Sequence, residues 1–380
     1  MSYSFRRRIL AAAMLASAGL YGQNALATNI LVVGPNTCQP GKPHYTSIQT
    51  AVNAVPSGGS VLVCPGTYLE QVAISKPLTL KGVTDGTNNA AIIAVPGGGL
   101  IANASAPTQF GPVSGQIAVQ NTSGVTVSNL TIDGTGSGCV PGAVRAAGIA
   151  AYNVGNTLIT GVTVRNEVTG CLIGEGILAD SSSITITSSQ FHDIDRTGIV
   201  VNSGVGTVEF NNVQNANFYG VGLYLANKTV VSSNTVAGLN LNPGANDAAI
   251  LVQNSNNTIV SKNTLLASPS FFVFGVWLLN SSGSSATGNI VSDFAYGIVM
   301  QGAGASVVQT NKLSQLLGDG IFDGGSLGGN NVTKNTVNEA AFGIFTDGTT
   351  GGDVLVPNTF YNTTTTIDPN PSQVGNPVDM

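Results

Sequence analysis

Charge is the scarcest ingredient of this sequence. Only 8% of its 380 residues are Asp, Glu, Lys or Arg, against a usual share of roughly 25%. The balance is acidic, with a net charge of −5, so a nucleic-acid partner, which wants a basic face, is not expected. Disorder needs low hydrophobicity and high net charge, and 42% hydrophobic residues exclude it. Long apolar runs are also missing beyond the N-terminus, so no membrane span is expected in the mature chain. There is no Gly-rich phosphate loop, no Ser-His-Asp pattern, no Cys-x-x-Cys and no His/Cys spacing for a metal. Tryptophan occurs once, at Trp277.

Glycine is plentiful, at 49 residues, and it recurs in register. Gly176-Ile177, Gly198-Ile199, Gly220-Val221, Gly275-Val276, Gly297-Ile298, Gly320-Ile321 and Gly343-Ile344 repeat one dipeptide, many of them 22 or 23 residues apart. An Asn follows most of them at a fixed offset: Asn211 or Asn212, then Asn234, Asn289, Asn311, Asn335 and Asn358. A fixed period of this length signals a solenoid, whose coils are too short to close a core alone and must stack. The Asn column reads as structural, through turn conformations and stacked side chains. After each glycine the first and third residues alternate inward, as Ile177 and Ala179 do, and the second and fourth face outward. Extra length gathers in one turn, at Gly134–Ala147, Gly170–Glu175, Leu239–Asp247 and Ala267–Phe272. Insertions confined to one turn make a wall beside a binding face.

Residues 1–27 read as a secretory signal, with Arg6, Arg7 and Arg8, an apolar run from Ile9 to Gly19 and a small-x-small site at Ala25-Leu26-Ala27. Phe5 to Leu10 also fits a twin-arginine signal loosely. The mature chain is therefore expected to be secreted or periplasmic. Four cysteines in an oxidising compartment imply two disulfides. Cys139 and Cys171 fall in the same wall turn of successive coils. Adjacent strands lie about 4.8 Å apart and bridged Cα atoms about 4.4–6.8 Å apart, so Cys139–Cys171 fits. Cys38–Cys64 then ties the leading segment to the first coil.

Thr46 to Val55 is the best helix, with Thr46 and Gln49 as a capping box and Pro56 ending it. After it come Val61-x-Val63, Pro65-Gly66-Thr67-Tyr68-x-Glu70, Ile74 and Leu80-x-Gly82. This opening resembles that of right-handed parallel β-helix proteins of the pectin-lyase-like superfamily, pectin methylesterases especially. The resemblance implies an all-β chain, a single right-handed parallel β-helix with a short N-terminal capping helix. The expected division is a signal at 1–27, a leading segment and cap at 28–59, the β-helix at 60–350 and a C-terminal cap and tail at 351–380. The resemblance transfers no named reaction. The Asn-Thr-Asp, Asp-Asp and Gly-His-Gly series of polygalacturonases is absent, and so are the Gln-Asp-Thr and Gly-Arg-Pro-Trp stretches of methylesterases.

In that superfamily the outward strand and its wall form the substrate groove. Here the outward positions are apolar, and Tyr152, Tyr224 and Trp277 suit the flat C–H faces of sugars, with Arg145 beside them. With so few charges, the cluster of Asp180, Asp193, Asp195 and Arg196 is the candidate reactive point, and Glu175 and Arg145 are second choices. Two carboxylates suit glycoside hydrolysis; carboxylates with an arginine suit a lyase. Asp180, Asp193 and Asp195 are the candidate metal ligands, for Ca²⁺ rather than zinc. The function expected is that of a carbohydrate-active protein acting on an acidic polysaccharide as lyase, hydrolase or epimerase. The alternative is a non-catalytic surface protein binding glycan or a partner. A monomer is expected.

Overall fold

The computed structural model describes residues 29–367, apart from 85, 87–88, 106–110, 140–144, 240–246, 268–272, 326 and 348–350. The signal read at 1–27, parts of three wall insertions and the end of the tail lie outside the described residues. No helix among the described residues is long and apolar enough to cross a membrane.

The chain winds as a parallel solenoid, right-handed as parallel crossovers are. One face is a 13-stranded sheet containing Thr79–Gly82, Thr126–Ser128 and Thr157–Thr160 in successive rungs. The other two faces join into a 23-stranded sheet, because one runs into the next through very short turns. Strand Gln190–Ile194, for example, is followed after two residues by Thr197–Asn202. The third face carries the Gly-Ile strands. Its register stacks Ile149, Ile177, Ile199 and Val221 directly over one another, all fully buried. Each fully buried aliphatic side chain of this kind contributes about 1.5–3 kcal/mol.

The recurring glycine has a steric cause. A Cβ on Gly198 would come within 2.5 Å of Val213 Cγ1 and 2.7 Å of the Gly220 carbonyl. At this corner the groove strand crosses too close to the second face for any side chain.

The Asn column forms a buried ladder. Asn234 Nδ2 donates to Asn263 Oδ1 at 3.0 Å, Asn263 to Asn289 at 3.0 Å, and Asn289 to Asn311 at 3.0 Å. Each amide also takes the backbone N–H of the previous Asn and donates to a carbonyl of the first face, Val260 for Asn289 and Ala286 for Asn311. The left-handed backbone expected of these asparagines is instead borne by the residue before each, as at Phe210, Ser233 and Lys262. The asparagines are there to satisfy buried backbone groups where the chain turns a corner.

The helix is Ile48–Ala54, and its cap is Ser47, which accepts from Thr50 N, rather than Thr46. Gln49 does not close a capping box. Its amide pairs with the backbone of Ala73, and the carboxylate of Glu70 receives the N–H groups of Ile48 and Gln49 at 2.8 and 3.0 Å. The first coil thus caps the helix, with a negative charge at its N-terminus. Ile30–Val33 pairs with Ser60–Val63, so the leading segment is itself a rung. At the other end, parallel pairing runs beyond residue 350, since Thr359–Ile367 adds a further strand beside Thr336–Thr346. Both disulfides are in place, with Cα separations of 6.2 Å for Cys38–Cys64 and 5.8 Å for Cys139–Cys171.

Asn289→Ala removes four hydrogen bonds and leaves the buried N–H of Asn263 without an acceptor. At about 1–3 kcal/mol per orphaned group, it should destabilise by about 3 kcal/mol or more in denaturant unfolding. Asn215→Ala, in a partly exposed column, should cost under about 1 kcal/mol.

Candidate functional site

Three outward columns run along the third face. The middle one holds Ala150, Leu178, Val200, Leu251, Trp277, Val299 and Phe322; the next holds Tyr152, Asp180, Asn202, Tyr224, Gln253 and Gln301. These are the positions two and four after the glycine, as the alternation requires. The third column, the residue before each glycine, escaped the sequence reading. It contains Glu175, Thr197, Tyr219, Phe274 and Tyr296. An aromatic before Gly220, Gly275, Gly297 and Gly343 was the available signal.

Glu175 is the electrostatic centre of the face. It is 1% exposed, and both Arg145 Nε and Arg196 Nε approach its Oε1, at 3.2 and 3.3 Å. Thr197 N donates to its Oε2 at 3.0 Å. Burial pushes the carboxyl up to about 7, and the two arginines and Thr197 hold it from rising further. Burial likewise lowers Arg145. The Arg196 guanidinium lies 4.9 Å from the Phe218 ring centre and donates to the Leu172 carbonyl, a cation–π contact that fixes its plane. Tyr152 and Tyr224 are in electrostatic reach of Glu175. Burial first, and then neighbouring groups, raise both phenols above their ordinary value, and Tyr219 behaves the same way. All three remain proton donors near neutrality.

The aspartates expected to form one reactive cluster are dispersed. Asp195 accepts from Thr169 N, Thr169 Oγ1, Gly170 N and Gly174 N at 2.6–3.2 Å. Both its oxygens clamp the wall loop that holds Cys171, so it is not free to act on a ligand. Asp193 sits at positive φ within the strand Gln190–Ile194, 45% exposed at its side chain, bonded to His192 and Asn215, which lower its carboxyl below the usual range. Asp180 is buried at the far end of the groove strand and takes Asn202 Nδ2 at 2.9 Å. Asp180 is six positions along the strand from the Gly174 amide that Asp195 holds, about 20 Å at roughly 3.3 Å per residue. The calcium set of Asp180, Asp193 and Asp195 is therefore not formed. Among the described residues no three His, Cys, Asp or Glu side chains converge on a metal. Of the sequence-chosen residues the structure unites Arg145, Arg196, Tyr152 and Tyr224, around the second-choice Glu175.

Glu167 is not on the groove. It occupies a core-facing rung with Ile194 and Ala216, fully buried and with no hydrogen-bond partner among the described residues. A Cβ on Gly134 would meet its carboxyl at 2.7 Å, so glycine makes the room. Burial, then Asp133 and Asp195, keep this carboxyl raised.

The aromatic strip divides into two parts. Toward the N-terminus Tyr152, Leu178 and Val200 pack with Ala104 and Val113 into a closed cluster. Trp277 is 8% exposed, edge-on to Phe274 at 4.9 Å, and its buried Nε1 donates to no acceptor among the described residues. Partly or fully exposed Phe274, Tyr296, Gln301 and Phe322, with buried Val299 beneath them, line a cavity of about 210 Å³.

Two outcomes follow. The raised Glu175 carboxyl contributes stability present in full below the ordinary carboxylate range and lost as pH rises through about 7. The Tm difference between the protein and Glu175→Gln should therefore change across that window and be flat outside it. Trp277→Ala should cost about 3–5 kcal/mol as a large-to-small core change; a melt like that of the parent would mean that the ring faces solvent.

No curated protein sequence matches the chain. A family model described as "Right handed beta helix region" matches residues 86–236 and 175–270, and one described as "Periplasmic copper-binding protein (NosD)" matches residues 244–377. Among solved structures, the GH136 lacto-N-biosidase of Eubacterium ramulus is similar, with a TM-score of 0.64 and 14% identity over 87% of this chain and 67% of that one. The A-module of a mannuronan C-5 epimerase from Azotobacter vinelandii gives 0.58 and 18% identity, over 88% of this chain and 94% of that one. A periplasmic alginate epimerase gives 0.58 and 13%, over 87% and 82%. At these identities the likeness is one of fold, and with the stacked register it makes the chain a right-handed parallel β-helix.

Proposed function

We propose that this is an exported protein that acts on an acidic polysaccharide laid in the groove of the third face, with Arg145 and Arg196 receiving a sugar carboxylate. The observation that carries the reading is the meeting of two arginines on one sealed carboxyl, Glu175, in a chain with so little charge. Export is supported by two disulfides, which persist in oxidising compartments, and by the signal read at 1–27. The epimerases named above act on mannuronan and alginate, and the biosidase and a similar α-1,3-glucanase are carbohydrate enzymes as well.

Within that class the groove favours chemistry beside a carboxylate, lyase or epimerase, over hydrolysis. Two guanidinium groups on a sugar carboxylate would neutralise it and acidify the adjacent C–H, and neutral, partly exposed Tyr224 would donate a proton. Hydrolysis asks for two carboxyls about 5–9.5 Å apart. Glu175 and Asp180 are five strand residues apart, about 16 Å. Glu175 itself is a positioning residue, since it is sealed behind the arginines. That sealing favours a second reading, glycan binding without catalysis, because no described groove residue is a free base.

Copper does not fit. Residues 244–377 contain no His, no Cys and a single methionine, Met300, fully buried in the core. Copper prefers imidazole and sulfur ligands, so the metal in the NosD description has no donor set in that stretch.

The test is binding and turnover on uronate polysaccharides, read by calorimetry, unsaturated-product absorbance, reducing ends and NMR of epimerised units. Arg145→Gln and Arg196→Gln should each weaken uronate binding about tenfold or more, a factor worth about 1.4 kcal/mol. Binding should also weaken as pH rises through about 7, when ionised Glu175 competes for the arginines, and Glu175→Gln should abolish that dependence. Unchanged affinity in both arginine variants would sink the proposal. Binding without turnover would select the non-catalytic reading.

A further inference from the structure

The cations of the groove stand at one end. Arg145 and Arg196 flank the strand of Glu175. From Arg196 to residue 367 the sequence holds four lysines and no further arginine. Lys228 is in the turn after the groove strand Tyr219–Tyr224, Lys262 and Lys334 are in turns between the first and second faces, and Lys312 is on the second face. The wall insertions at 240–246 and 268–272 contain no Lys or Arg.

At the other end the outward columns are aromatic. Phe274, Tyr296 and Phe322, with Val299 and Gln301, enclose the cavity described above. Across the strands Val273–Leu279, Tyr296–Gln301 and Asp319–Gly324 the one charged outward residue is Asp319, paired with Phe342 in the next rung, and it is negative. A sugar carboxylate placed here would lose its hydration with no cation to replace it, a cost that burial of unpaired charge always carries. An uncharged pyranose would instead offer C–H faces to the rings and hydroxyls to Tyr296 and Gln301.

We infer that the groove takes a heteropolysaccharide with sparse carboxylates: one uronate on the arginine pair, followed toward the C-terminal coils by uncharged sugars. The inference rests on the acidic-polysaccharide reading above and narrows it against homopolymers of uronic acid. The strand after Arg196 and the strand of Phe274 are three rungs apart, about 14 Å at roughly 4.8 Å per rung. A pyranose in an extended chain advances by about one rung, so a few sugars separate the carboxylate from the first aromatic contact.

Calorimetry with two probes tests it: hexagalacturonate, and glucose hexasaccharides carrying a single glucuronate at either end. One of the singly charged probes should bind the parent about tenfold tighter than hexagalacturonate. Phe322→Ala should weaken that probe about fivefold or more and leave hexagalacturonate unchanged. Gln301→Arg, at an exposed position, should raise affinity for hexagalacturonate. Hexagalacturonate binding as tightly as the singly charged probes, and weakened by Arg196→Gln, would overturn the heteropolysaccharide inference while keeping the acidic-polysaccharide reading. Failure of every probe to bind, or indifference of all to Arg196→Gln, would overturn both.

Discussion

Every feature of this protein depends on strands stacking in register along one axis. Each side chain meets its counterpart one rung away, so what one coil places at a position is repeated, tolerated or answered by the next. Identical apolar residues make continuous columns, and identical amides make a hydrogen-bond ladder whose members satisfy the corner backbone of their neighbours. Burial is therefore achieved between coils, not within them. The ends then need covers, and the helix Ile48–Ala54 provides the first, held by Glu70 of the coil it closes.

The same stacking makes a charged residue on the third face conspicuous and expensive. Glu175 faces outward yet is sealed, because wall insertions rise beside it and Arg145 and Arg196 close over it. Desolvation raises its carboxyl, and the arginines offset part of that cost. The wall is fixed by other means. Asp195 gathers four donors from residues 169–174, and Cys139–Cys171 crosses the same loop. Asp195 and Arg196 are adjacent in sequence and have different tasks: one secures the wall, the other turns toward the groove.

Much of the architecture was legible because it is periodic. Ile177, Ile199 and Val221 announced the core column by recurrence, and Trp277 and Tyr224 fell on the outward positions assigned to them. The helix was readable from its apolar face, though its cap was misplaced by one residue, since Thr46 and Ser47 are both competent and only the tertiary contact with Glu70 chooses between them. The aspartates were misread for a different reason. Proximity in sequence suggested one cluster, while the positive φ at Asp193 and the corner after Ile194 send Asp193 outward and Asp195 into the wall.

The sequence by itself determined the winding, the inward and outward alternation and the side on which insertions gather, because these follow from a period and from the two-residue pleat. It also settled the scarcity and sign of charge. Only the tertiary structure decided which charges meet. Arg145, Glu175 and Arg196 belong to three different rungs, and their ion pairs exist because rungs stack a strand spacing apart. It likewise decided that Trp277 is covered while Phe274 and Tyr296 are presented, since coverage depends on the neighbouring ring and wall and not on alternation alone. Local pattern fixes direction; long-range stacking fixes company, and a carboxyl's proton affinity and a ring's exposure are properties of company.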